Sequence, residues 1–107
     1  MSVNIPEESP LAEHARGFLR SLRAQKRSVN TQDTYLRGVL ELDRFLASND
    51  LPREVQKIKR GHIEDFLQAQ LAAYKPATAS IRYSGLHRFF SWLVGEQEMP
   101  SNPPTAR

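Results

Sequence analysis

The stretch from Thr78 to Pro103, TASIRYSGLHRFFSWLVGEQEMPSNP, decides the fold. At about 100° per residue, Ala79, Leu86, Phe89, Phe90 and Leu93 fall within one arc of a helix. Pro76 stands near its start and Gly95 near its end, where the two residue types suit a helix best. The opposite arc holds Ser80, Ser84, His87, Arg88 and Ser91 and contains no acid. A helix with one apolar arc must bury it against partners, so the rest of the chain is expected to supply further helices.

Working outward, three more segments repeat apolar residues at three- and four-residue steps. RGHIEDFLQAQLAAY places Ile63, Phe66, Leu67 and Leu71 on a common face, with Ile58 as an apolar anchor under the preceding loop. It ends at Lys75-Pro76. SVNTQDTYL opens a helix capped by Asn30 or Thr31, whose stripe is Tyr35, Val39, Leu42 and Leu46, and SNDLP is the turn that stops it. The first segment begins at Ser9-Pro10, carries Leu11, Ala15, Phe18, Leu19 and Leu22, and ends near Gln25 or Lys26. No β-alternation competes. The expectation is an all-α, four-helix domain over residues 9–100, with loose tails at 1–8 and 101–107, where adjacent prolines cannot continue a helix.

Composition excludes several function classes. A chain of 107 residues closes one core, 39% hydrophobic and 25% charged residues suit a globular domain, and no apolar run approaches a membrane span. The N-terminal residues MSVNIPEESP resemble no secretory or transit signal, so a cytoplasmic location is expected. Without cysteine there is neither disulfide, thiolate nucleophile nor Cys-based zinc site. His14, His62 and His87 lie in separate segments without metal-ligand spacing, and the five glycines form no phosphate loop, so neither metal nor cofactor is implied. Glu64 and Asp65 point in different directions on a helix, and Ser84 with His87 lacks a third, orienting group. No catalytic set is present.

The basic and polar surface is more informative. The net charge of +3 permits an anionic partner. Arg16, Arg20, Arg23 and Arg27 draw a cationic stripe along the first helix, extended by Lys26, although one such stripe is more often a solvated face. The acid-free face of the fourth helix is a stronger signal. Serine is a mediocre helix former, yet hydroxyls and arginine suit phosphate oxygens and base edges, and small side chains allow close approach to a groove. Lys75 and Thr78 stand at the same helix's N-terminal end, which favours phosphate. In the second helix, Asn30, Thr31, Gln32 and Thr34 of the first turns can reach a phosphate, whereas Asp33, Arg37, Glu41 and Arg44 have a spacing that suits ion pairs.

Taken in order, FLRSL, SVNTQDTYLRGVLELDRFL and IRYSGLHRFFSWLVGEQEMPSNP resemble the N-terminal core-binding domain of tyrosine recombinases, the phage-integrase and Xer-type enzymes, over about residues 10 to 104. The most specific positions are Ser28, Thr31 and Tyr35, then Arg82, Ser84, Leu86, Phe89, Phe90 and Leu93, leading to Asn102-Pro103. The resemblance implies a four-helix, SAM-like orthogonal bundle. It implies further that the second and fourth helices face duplex DNA, and that a catalytic domain of the same parent chain closes the clamp. Recombinase protomers, four on DNA in the full-length family, are the implied protein partners. That family cleaves with two arginines, a lysine, a His-x-x-Arg pair and a tyrosine nucleophile. No histidine here has Arg three residues on, so Tyr35, Tyr74 and Tyr83 are not nucleophile candidates. Gln97 departs from the Gly or Asn common at the end of the fourth helix, and His87 replaces a basic residue with a titratable one.

The DNA-facing set expected from residues and resemblance together is Arg27, Asn30, Thr31, Gln32, Lys75, Thr78, Ser80, Ser84, His87 and Arg88. The competing expectation is a helical protein-interaction module, for which Trp92 beside the core arc would be the docking residue.

Overall fold

The structure, a computed structural model, describes residues 10–96. The expectations for Ser9, Gln97, Asn102-Pro103 and the two tails lie outside these residues. Four helices follow one another: α1 (Pro10–Ala24), α2 (Val29–Ser48), α3 (Arg60–Ala73) and α4 (Pro76–Gly95), with a short 3-10 turn at Val55–Lys57. Among the described residues there is no strand.

Local chemistry explains the boundaries. Proline occupies the first helical position of both α1 and α4, where its missing N–H costs nothing. α1 closes with Lys26 in the left-handed region (φ 59°): the Arg27 N–H donates to the Leu22 carbonyl and the Lys26 N–H to that of Arg23. α2 ends in the same way at Asp50 (φ 54°), whose neighbour Leu51 donates to the Leu46 carbonyl. Both closures use non-glycine residues, at the places where the sequence predicts the two helices to end. The cap of α2 is Ser28, not Asn30 or Thr31. Its hydroxyl accepts from the Thr31 N–H at 3.1 Å, and it donates to the Thr31 hydroxyl at 3.0 Å. At the start of α3, His62 Nδ1 accepts from the Lys59 backbone N–H at 3.0 Å.

The core gathers Leu11, Ala15, Phe18 and Leu22 of α1, Leu36, Val39, Leu42 and Leu46 of α2, Ile63 and Phe66 of α3, and Leu86, Phe89, Phe90 and Leu93 of α4. Ile58 is buried under the α2–α3 connection as expected. The α3 face differs from the expected one. Leu71 is 48% exposed, and Gln70 is buried in line with Ile63 and Phe66. The reason is polar: Gln70 turns inward to accept a 2.7 Å hydrogen bond from the Arg82 guanidinium of α4. A leucine there would leave the largely buried Arg82 guanidinium, among the described residues, with only its longer, 3.5 Å hydrogen bond to Glu41.

Two glycines set how closely α2 and α4 cross. A Cβ on Gly38 would stand 2.6 Å from the Arg82 carbonyl oxygen, and one on Gly85 would stand 2.9 Å from the Tyr35 Cα. Backbone lies on backbone at this crossing, which only glycine permits. The helix pair is thereby fixed in separation, and the outward faces of α2 and α4 become neighbours.

Candidate nucleic-acid interface

Beside the glycine crossing, the first turns of α2 and α4 form the two walls of an open cleft of about 360 Å³. Asn30, Asp33, Thr34 and Arg37 line it from α2, and Thr78, Ile81 and Arg82 from α4. The outer arc of α4 next to it, Ala77, Ser80, Ser84 and Arg88, is exposed. These side chains are short apart from Arg88, so the helix backbone stays accessible to a broad partner.

Arg82 is the strut that holds the cleft's floor. Its guanidinium reaches Gln70 of α3 at 2.7 Å and Glu41 of α2 at 3.5 Å, and lies 4.3 Å from the centroid of the Tyr74 ring. One cation thus ties three helices through a hydrogen bond, an ion pair and a cation–π contact. Its side chain is largely buried, and its charge is answered by Glu41. Arg82 therefore positions the site rather than presenting a free charge.

The ion pairs redraw the expected charge pattern. Glu41 pairs with Arg44 at 3.3 Å and with Arg82, but Asp33 and Arg37 form no ion pair among the described residues, despite their i,i+4 spacing. Arg37 is left exposed at the cleft rim without an acid partner. Sequence reasoning assigned Arg37 to a self-compensated face and so missed it. The signal available was only that Glu41 has two competing arginines, one of them 41 residues away in sequence.

The expected residues sort into three groups. Asn30 and Thr78 line opposite walls of the cleft. Lys75, Ser80, Ser84 and Arg88 lie on or at the start of the exposed arc of α4, and His87 is half-buried at its edge. Arg27, Thr31 and Gln32 belong instead to the α1–α2 turn. Gln32 Nε2 donates to the Arg27 carbonyl at 2.8 Å, and the Thr31 hydroxyl accepts from Ser28, so these two side chains build the cap. The Arg27 side chain is exposed beside them. Neither Lys75, Arg88 nor Arg27 forms an ion pair among the described residues.

Trp92 is engaged within the domain. Its ring stacks on Phe89, lies 5.8 Å from Phe18 of α1 and covers Gly17, whose added Cβ would meet it at 2.8 Å. Packing against α1 is therefore its role. The buried Asp43 carboxylate of α2 takes two hydrogen bonds from Arg53, at 2.9 and 3.0 Å, which raises the Arg53 pKa above its ordinary value. That pair pins the α2–α3 connection, and neither residue lines the cleft.

No helix among the described residues is long and apolar enough to cross a membrane. No curated protein and no solved structure matches the chain. Residues 15–97 match the family described as phage integrase, N-terminal SAM-like domain. The match spans α1 from Ala15 through the end of α4, which includes the glycine crossing, the Arg82 strut and both walls of the cleft. On that coverage, the chain belongs to the phage integrase N-terminal SAM-like domain family.

Proposed function

We propose that this chain is the DNA-gripping, non-catalytic part of a site-specific tyrosine recombinase, acting in the cytoplasm on duplex DNA. The observation that carries the reading is the backbone-on-backbone crossing at Gly38 and Gly85. It sets an acid-free helix, α4, beside the first turns of α2, with Arg37, Lys75 and Arg88 around them in no ion pair among the described residues. Family membership supports the same use of the surface. Residues 9–100 are the core-binding domain in this proposal, and residues 101–107 lead toward a catalytic domain of the same parent chain. That domain would supply the cleaving residues and the other half of the clamp. Recombinase protomers gathered on DNA would be the protein partners.

The division of labour follows from chemistry. Lys75, Arg88, Arg37 and Arg27 contact phosphates and set orientation, while Asn30, Thr78, Ser80, Ser84 and His87 approach the groove. A protein-docking role has less support, because Trp92 is packed against α1.

The test is a salt titration of binding to mixed-sequence duplex, with heparin as a control polyanion, for the wild type and for Lys75→Ala/Arg88→Ala. Each phosphate contact contributes about 0.9 to the slope of log K against log salt. The double change is expected to flatten the slope by about 1.8. An unchanged slope in a folded double variant would remove α4 from the interface.

A further inference from the structure

Ile81 is an anomaly on a polar helix face. It is 50% exposed, on the cleft wall formed by α4, and it faces Asn30, Asp33, Thr34 and Arg37 of α2. Among the described residues the other large exposed apolar side chains, Val29, Leu71 and Tyr74, do not line that cleft. Ile81 is therefore a single apolar point set in a polar ring, which is unlike the broad apolar patch a protein partner requires.

Asp33 narrows what can sit beside Ile81. Arg37 stands at the rim and the Arg82 charge is answered by Glu41, so next to the Asp33 carboxylate the α2 wall favours a group that offers donors or apolar surface over a phosphate. Base edges in the major groove do so: adenine and cytosine present amino donors, and thymine presents the groove's one apolar group, its C5-methyl. The short neighbours Ala77, Ser80 and Ser84 allow α4 to come near enough for a β-branched side chain to reach that methyl.

We infer that Ile81 is a specificity-determining residue that reads the C5-methyl of a thymine, with Asn30 and Asp33 available to the amino groups of adjacent bases. This rests on the DNA-binding reading above and deepens it. The phosphate contacts proposed for Lys75 and Arg88 lie outside the cleft, and Ile81 carries no charge. Loss of Ile81 should thus change sequence preference and leave the salt slope intact.

The experiment uses sites selected from randomised duplex at low salt by the intact chain. Each selected thymine is then replaced by deoxyuridine, which removes the methyl and nothing else. Burying one methyl is worth roughly a fourfold change in affinity. The wild type is expected to lose about that factor at one thymine, whereas Ile81→Ala binds the thymine duplex more weakly and does not respond to the replacement. Ile81 is half exposed, so the variant should melt with the wild type. Salt-dependent binding by the wild type without methyl sensitivity, or sensitivity that survives in Ile81→Ala, would overturn the inference and leave the DNA-binding reading standing. Absence of any salt-dependent binding by folded wild type would overturn both.

Discussion

Replacing Gly38 by alanine tests the element on which the interface depends. The new Cβ would lie 2.6 Å from the Arg82 carbonyl oxygen and 3.3 Å from the Arg82 carbonyl carbon and Cα. A relaxed contact needs roughly 3.5 Å, so α2 and α4 must part by most of an ångström. Because both obstructing groups are backbone, no rotamer change relieves the overlap. Overpacking of this kind costs about 1–3 kcal/mol, toward the upper end for a rigid neighbour. The gain in helix propensity from Gly to Ala offsets about 1 kcal/mol. The net loss is therefore about 1–2 kcal/mol, a fall in Tm of about 4–16 °C for a domain of this size. Gly61→Ala is the control, since nothing lies within 4 Å of its added Cβ, and it should leave Tm unchanged or raise it slightly. Thermal melts followed by circular dichroism separate the two. Below its midpoint, Gly38→Ala should also bind duplex DNA more weakly on the proposed reading, although every cleft side chain, Lys75 and Arg88 are retained, because Asn30 and Arg37 move relative to Thr78 and Ile81. A Gly38→Ala protein that melts at or above the wild type would refute the close-crossing argument.

Arg53→Ala leaves the Asp43 carboxylate, 5% exposed, without its two hydrogen bonds. Breaking a fully buried pair costs about 3–5 kcal/mol, but the Arg53 side chain is 35% exposed and solvent takes part of the load, so about 2 kcal/mol is expected. The urea midpoint at neutral pH reads it, and an unshifted midpoint would mean that the pair is dispensable. Asp33→Asn should raise affinity for mixed-sequence duplex about threefold, the value for one charge repulsion over roughly 6 Å in water. Filter binding at two salt concentrations checks it; a fall in affinity would show that the carboxylate accepts from DNA in every complex and is not a filter against phosphate.

Helix count and core were legible because periodicity depends on short-range spacing alone, and α4 from Pro76 to Gly95 follows it closely. Leu71 and Gln70 were not. Choosing between adjacent positions on α3 turned on an arginine that arrives from α4, twelve residues later, and carries a donor needing an answer. The cap of α2 fell at Ser28 rather than at Asn30 or Thr31 because a serine hydroxyl reaches the N–H three residues on, while Gln32 closes the same turn from the other side. The same limitation applied to the site. Arg88, Ser80 and Ser84 could be assigned to one face from α4 alone, but Arg37 could not be singled out, because its freedom depends on which arginines Glu41 selects.

That selection has a consequence for the whole surface. Between residues 53 and 60, Arg53, Lys57 and Arg60 each hold an acid, at 2.9, 3.2 and 3.4 Å, and Lys59 is the one cation of that segment without an ion pair among the described residues, so the α2–α3 connection and the start of α3 are largely compensated. Between residues 16 and 27, Arg16, Arg20, Arg23, Lys26 and Arg27 hold none among the described residues, and Arg37, Lys75 and Arg88 are likewise unpaired. A net charge of +3 therefore understates the field, because it averages a compensated segment with an uncompensated one. A polyanion approaching such a domain is turned toward α1, the α1–α2 turn and the α2–α4 face before any contact forms. Within that field the cleft is the exception. Arg37 keeps its rim attractive to phosphate, while Asp33 and Ile81 make the space beside them a poor seat for it, which is what a surface needs if it is to bind duplex DNA broadly through its rim and distinguish sequences at its centre.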